Sequence, residues 1–238
     1  GGNGLGAISY ALHPDDDCSL TLVNGDYQVT RTTAGDCRFR ASRAGDDNYE
    51  ALTSDYSTLS FARIERTISA SAGASSFTFN GSKPIGSTTL SPVSAGTVTF
   101  SVPDSSIYVC GVNASTGAVT FKTKGSCRVD VAVGQTSTHT AATGSTTFTI
   151  DPDAPSKPRA VIGKLTNTSL DVVWTKPALM GGQEAYKYVA TVSSSSSRLS
   201  CETRGDTNCT ITGLVPGTSY TLNVEAINDG GTSAASTD

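Results

Sequence analysis

Apolar and polar residues alternate through most of this chain, and a period of two marks half-buried strands rather than helices. In Cys127–Val133 (CRVDVAV) the odd positions are apolar or cysteine, with Arg128 and Asp130 between them. Cys37–Ala41 (CRFRA) has the same phase, which turns Arg38 and Arg40 outward. Upstream of each run the pattern recurs, so that Tyr27 and Val29 match Val119 and Phe121. Gly, Asn and Asp gather between the runs, at Asn24–Asp26, Gly35–Asp36, Ser115–Gly117 and Gly125–Ser126, where turns are expected. No extended stretch carries the 3.6-residue period of an amphipathic helix. The pattern predicts an all-β chain of short strands at the spacing of sandwiches.

The alternation is organised as a repeat. From Gly6 the chain reads GAISY, then Cys18, GDYQV and GDCRF, ending at Phe39. From Gly96 it reads GTVTF, then Cys110, GAVTF and GSCRV, ending at Val129. The cysteines stand 19 residues apart in the first copy and 17 in the second, on strands expected to be separated by one other. Closing such a loop contributes about 3 kcal/mol in the chain-entropy model. That is a large share of the stability of a module with a thin core.

Composition narrows the setting. Hydrophobic residues make up 37%, enough for thin sandwich cores, and only 16% are charged, so Ser, Thr and Gly fill the polar positions. A net charge of −4 argues against nucleic acid, whose binding needs clustered Lys and Arg. No run approaches the ~18 apolar residues of a membrane-spanning helix. No initiator Met or signal-type apolar segment stands at Gly1, so the chain reads as a processed product or an internal piece of something longer. Six cysteines in close pairs, without a C-x-x-C, point to an oxidising compartment, extracellular or at the cell surface; buried free thiols are the plainer alternative. Zinc is disfavoured, because His13 and His139 lie at no ligand spacing from a cysteine.

The repeat resembles the Ig-like modules of tandem bacterial surface proteins over residues 6–61 and 96–150. The resemblance rests on GTVTF…C…GxVxF…GxCxVxV and on Ala44–Ala51 (AGDDNYEA), where a glycine–aspartate–x–asparagine–tyrosine loop leads into the last strand. Copy two departs from that loop with Gly134–His139 (GQTSTH), so a ligand of the loop would not be shared by both copies. After a linker, Asp151–Pro158, stiffened by prolines, residues 152–235 resemble a fibronectin type III domain. Trp174 in LDVVW, Tyr188 in YKYV, and Leu214 and Tyr220 in LVPGTSYTLNV carry that resemblance, and it implies that they are structural core. The last segment is the tyrosine corner, in which the Tyr220 hydroxyl caps backbone. Cys201 and Cys209 fall on flanking strands.

The layout expected is therefore tandem, elongated Ig-like and fibronectin type III sandwiches, with modules at 1–64, 65–151 and 152–238. The cystines expected are Cys18–Cys37, Cys110–Cys127 and Cys201–Cys209, each within one module. The repeat offset of 92 (Cys110 minus Cys18) leaves Ile68–Phe79, two strands of copy two, without a counterpart in copy one. The third module is expected to stop at Asp238 inside its final strand. A longer array is the favoured explanation, with strands supplied by a neighbouring chain as the alternative. On this reading Ile8, Tyr10, Leu20, Leu22, Tyr27, Val29 and Phe39 stay partly uncovered.

Chemistry is thinly represented. Asp15, Asp16, Asp17, Asp46 and Asp47 are weak calcium candidates, and they read equally as solvated turn residues. No nucleophile-elbow glycine–x–serine–x–glycine accompanies either histidine, so no catalytic residue and no cofactor is expected. The sequons at Asn80, Asn113, Asn167 and Asn208 read as chance in a Ser/Thr-rich chain. Ser193–Ser197 reads as a flexible polar loop. Tyr49 and Tyr56 are the aromatic candidates for contact with a partner or glycan.

The function these readings favour is a segment of an extracellular structural or adhesive protein, acting as stalk, spacer or filament subunit. Its partners would be neighbouring modules or identical chains, with a glycan or cell-surface ligand as a further possibility. The alternatives are accessory modules of a secreted polysaccharide-degrading enzyme and a strand-exchanging, pilus-like polymer.

Overall fold

The computed structural model describes residues 5–79, 87–91 and 96–236. Every regular element among the described residues is a β-strand. The chain divides into two compact units, Gly1–Ile68 with Leu90–Val98 and Ala132–Thr143, and Ser69–Thr89 with Thr99–Val131 and Gly144–Asp238.

The first unit contains the first repeat. Its strands are β1 (Ile8–Leu12), β2 (Ser19–Val23), β3 (Asp26–Thr30), β4 (Gly35–Arg43), β5 (Leu52–Thr53) and β6 (Ser57–Phe61). β4 is the centre of one sheet, with β1 on one side and β5 and β6 along the other. Antiparallel register places Tyr10 opposite Ala41, Leu12 opposite Phe39 and Leu59 opposite Cys37, so these side chains share one face. β2 and β3 form a hairpin that turns at Asn24 (φ 52°) and Gly25 (φ 93°). Two consecutive left-handed residues give the turn whose twist suits a two-residue hairpin.

The Gly134–His139 loop packs in this unit. Ala34 N donates to Ser137 O at 2.8 Å, Ile64 N to Thr138 O at 2.8 Å and Arg63 Nε to Thr136 O at 3.0 Å. Arg66, buried, donates through Nε to Thr140 O at 2.8 Å. The stretch where copy two abandons the loop motif of copy one thus receives backbone donors from residues 34 and 64.

The second repeat adds β7 (Thr67–Ser71), β8 (Ser76–Thr78), β9 (Ser87–Ser91), β10 (Val98–Ser101), β11 (Cys110–Val112), β12 (Val119–Phe121), β13 (Gly125–Val133) and β14 (Ala142–Asp151). The sheet order is β10-β13-β14-β8, with β11–β12 and β7–β9 as separate pairs. The two strands expected over Ile68–Phe79 are β7 and β8, and a further strand, β9, follows them before the part shared with copy one. Copy two also has a parallel pair, β8 on β14, with Phe77 opposite Ile150. Its core is aromatic: the Phe77 ring lies 5.3 Å from that of Phe148 and 6.2 Å from that of Phe121.

The rest of the second unit is a sandwich of β15 (Arg159–Leu165), β16 (Ser169–Thr175), β17 (Lys187–Ser193), β18 (Arg198–Thr203), β19 (Asn208–Thr212), β20 (Thr221–Asn228) and β21 (Gly231–Thr232). Sheets β15-β16-β19 and β18-β17-β20-β21 enclose Val172, Trp174, Tyr188, Ala190, Ile211 and Val224. Beyond β21 the Ser233 and Ser236 hydroxyls accept from Ala226 N and Val224 N at 2.9 and 2.8 Å, extending the edge with side chains. Asp238 lies outside the described residues.

The proline-rich linker is stitched down rather than spanning free space. Asp153 N donates to Gly181 O at 2.9 Å and Ser156 N to Leu179 O at 2.8 Å. The buried Asn228 amide donates to Asp153 O, Met180 O and Gln183 O at 2.8, 3.0 and 3.2 Å, tying the linker and the β16–β17 loop to the end of β20. Lys124 N and Thr123 Oγ1 both donate to Gly182 O, at 2.9 and 2.7 Å. Lys124 also pairs with Asp229, whose carboxyl it and Gln183 hold below the usual range.

Candidate functional site

The cystines are Cys18–Cys37, Cys110–Cys127 and Cys201–Cys209, with Cα–Cα separations of 6.0, 5.9 and 6.2 Å. In each repeat the bond ties the hairpin region to the central strand, β4 or β13. Cys18 sits in the loop just before β2 rather than on a strand, whereas Cys110 opens β11. The third cystine joins β18 to β19 and so crosses between the two sheets of the C-terminal sandwich. There Trp174 and Tyr188 are buried with ring centroids 5.6 Å apart. Burial pushes the Tyr188 hydroxyl pKa up. Leu214 is buried in the same core, and the Tyr220 hydroxyl accepts from Val215 N at 3.2 Å.

The acidic candidates are dispersed in role. Asp16 accepts from Arg38 N at 2.6 Å and pairs with the Arg38 guanidinium at 2.7 Å. Those bonds lower its pKa to about 2. Asp46 closes its own turn: it accepts from Asn48 N and Tyr49 N at 3.0 Å each and from Leu5 N at 2.6 Å. These backbone donors, Asn48 first, hold its carboxyl below the usual range. Asp15 reaches the His13 ring at 3.7 Å, and Asp17 and Asp47 face solvent. Among the described residues no three His, Cys, Asp or Glu side chains converge as a metal site. His139 Nδ1 meets the Thr138 hydroxyl at 2.7 Å.

Tyr56 is held in place, with the Arg40 guanidinium 5.0 Å from its ring centroid and the His13 ring 4.9 Å away, edge-on. Tyr49 projects freely and lines a groove of about 620 Å³ with Ile8, Arg43, Leu52 and Asp46. The Ser193–Ser197 segment is a tight hairpin turn rather than a flexible loop. Ser194 N donates to Ser197 O at 2.9 Å and Ser197 N to Ser194 Oγ at 3.1 Å, the local bonding that hydroxyl residues offer a turn. Asn113 similarly caps its own turn, accepting from Ser115 N at 3.0 Å and Thr116 N at 2.9 Å. Asn80 lies outside the described residues.

A second cleft, about 610 Å³, opens between the β1-β4-β6 face and the β2–β3 hairpin. Tyr10, Tyr27, Val29, Phe39 and Leu59 line it, and the Tyr10 and Tyr27 rings are 4.8 Å apart. Ile8 is 56% exposed, Tyr27 46% and Leu59 44%, whereas Phe121 and Phe148 of copy two are 6% and 2% exposed. Apolar surface gathered in this way is larger than the scattered single side chains usual on a monomer. Leu59 and Thr58 in its wall were not singled out by sequence; the alternation in Ser57–Phe61 (STLSF) is the signal that carries them.

Residues 153–238 match the family model of the fibronectin type III domain. None of the curated proteins matches the chain. Among solved structures, the titin kinase with its flanking domains is 28% identical over 36% of this chain, with a TM-score of 0.33; the match spans 16% of that structure. Domains A168-A170 from titin align over 98% of this chain and 86% of theirs, at 17% identity and a TM-score of 0.38. A two-domain fibronectin type III segment from chicken tenascin aligns over 70% of this chain and 93% of its own, at 13% identity and 0.37. The described chain is all-β, with three cystines, and its C-terminal β-sandwich is the part that matches the fibronectin type III model.

Proposed function

We propose that this chain is a non-catalytic, extracellular segment of a multi-domain structural or adhesive protein, with modules at 1–64, 65–151 and 152–238 acting as stalk, spacer or filament unit. Its partners are neighbouring modules or identical chains, and Tyr49 is the best placed side chain for a glycan or cell-surface ligand. The observation that carries this reading is that each cystine closes within one repeat or within the C-terminal sandwich, while the second repeat meets that sandwich through bonds to Gly182 O. Such an arrangement resists extension in the modules and limits rotation between them. Cystines shorten the length each module can release under load.

Force spectroscopy of the oxidised full chain tests it. Three separate unfolding events are expected, each lengthening when the cystines are reduced. One continuous extension at low force, or measurable hydrolysis of glycans, esters or peptides by the purified chain, would overturn the reading.

A further inference from the structure

The outer face of the β15-β16-β19 sheet brings an attachment chemistry and an uncovered apolar strip into one row. Val161 stands opposite Val173, and Val173 opposite Asn208. The alternate residues Val172, Trp174 and Ile211 fill the core, so this row faces outward. Val161 and Val173 are 51% and 45% exposed, and Asn208 is exposed beside them. Apolar side chains paired across strands in this way gain from any cover that displaces water. Asn208-Cys209-Thr210 has the order asparagine–x–threonine of an acceptor for N-linked carbohydrate. Composition produces such triplets by chance, but it does not set their geometry. Because β19 alternates, Asn208 and Thr210 share the outer face, while Cys209 turns to the other sheet in its cystine with Cys201. Thr210 Oγ1 donates to Asp171 Oδ1, on the neighbouring strand, at 2.7 Å. β19 is also an edge of its sheet, where a bulky polar group keeps a further strand from adding. Asn113 and Asn167, by contrast, lie in connections between strands.

We propose that Asn208 is an acceptor of N-linked carbohydrate and that the first sugars lie over Val173 and Val161. In the transfer, Asn208 Nδ2 forms a bond to C1 of the reducing-end sugar of a lipid-pyrophosphate-linked oligosaccharide. The bond from C1 to the pyrophosphate oxygen breaks and the lipid pyrophosphate leaves with the electron pair. The amide nitrogen gives up one proton, and nothing is oxidised or reduced. The C–H face of the first sugar then meets the valine methyls while its hydroxyls stay in water. Three cystines suit the oxidising lumen in which secreted chains receive such carbohydrate. The proposal rests on the extracellular reading above, and the two fail differently: secretion with closed cystines but a bare Asn208 would end this proposal and leave that reading standing.

The test uses the full chain secreted from a eukaryotic host that attaches N-linked carbohydrate. Peptide mass spectrometry after enzymatic release of the sugars in heavy-oxygen water should find most copies occupied at Asn208. Thr210→Ser should keep that occupancy and Thr210→Val should abolish it. Hydroxyl-radical footprinting then reads the cover: oxidation at Val161 and Val173 should rise at least threefold when the carbohydrate is removed. Val215, beyond the Ser169–Thr212 end of the sheet and 57% exposed, should not change. Enzymatic removal from the wild-type chain supplies the bare form, so the footprint does not depend on a variant that fails to fold. A secreted, oxidised chain with Asn208 unoccupied overturns the proposal. So does an occupied Asn208 whose carbohydrate leaves oxidation at Val161 and Val173 the same before and after removal.

Discussion

The two repeats share their cystine, their hairpin and the phase of their central strand, yet only the second has a closed core. In copy two Val129, Val131, Phe121 and Phe148 are almost fully buried, and Phe77 from β8 completes an aromatic cluster. In copy one Cys37 is as buried as its counterpart Cys127, but Ile8, Tyr10, Tyr27 and Leu59 around it remain exposed. The shared motif thus builds the frame of a sandwich, and the strands outside the motif build its interior. A cystine fixes where sheet and hairpin meet, and it does not remove apolar surface from water.

The largest test of this contrast separates the repeats. A fragment of residues 1–64 is expected to show no cooperative thermal transition under oxidising conditions, or to aggregate, whereas residues 65–151 should melt sharply and reversibly. At about 25 cal/mol per Å², ~200 Å² of uncovered apolar surface corresponds to roughly 5 kcal/mol, comparable to the stability of a small domain. A sharp monomeric transition for 1–64 would end the comparison. Next in size, Phe148→Ala should destabilise the second repeat by about 3–5 kcal/mol in denaturant unfolding. Leu59→Ala, at a half-exposed position, should change the first repeat by about 1 kcal/mol.

Replacing each cystine with serines should remove about 3 kcal/mol in either repeat, because the loops are similar in length. The consequences should differ. Cys18→Ser with Cys37→Ser is expected to abolish hydrogen-exchange protection in β4, while Cys110→Ser with Cys127→Ser leaves β13 protected. Equal losses would mean that the two cores are equally strong. The smallest effect concerns Asp16, whose bond to Arg38 has no equivalent in copy two, where Arg128 instead pairs with Asp130 of its own strand. The Asp16 pKa is lowered from 3.8 to about 2, so its stabilisation is full above the upper value and fades as pH falls through the lower one. Asp16→Asn should flatten the fall in melting temperature across that window and change little at neutral pH.

Much of this architecture is written locally in the sequence. Alternation marks β4 and β13, glycine with asparagine marks the β2–β3 turn, and the LVPGTSY segment marks the corner closed by Tyr220. What is not legible depends on partners far along the chain. β9 has no strong apolar alternation, and it exists as a strand through its pairing with β7. The parallel seat of β8 on β14 joins residues more than seventy positions apart in Thr149 and Ser76, which no local pattern encodes. The linker prolines signal stiffness, but the bonds from Asp153 and Ser156 that fasten it to the Leu179–Gly181 loop are tertiary. The sequence marks the acidic pairs as turns without distinguishing Asp16, bonded to a distant arginine, from Asp17, in solvent.

Asn228 carries a consequence for how this molecule would age. Its carboxamide nitrogen faces three carbonyl oxygens, from Asp153, Met180 and Gln183, while its own oxygen accepts from Gly230 N at 2.8 Å. Hydrolytic loss of ammonia would turn this donor into a carboxylate and set a negative charge among those oxygens, with Asp229 next in sequence. The damage would register first as a loosened clasp of loops while the sheets themselves stayed folded. Such a change at Asn228 would loosen the joint between these segments without unfolding either sheet.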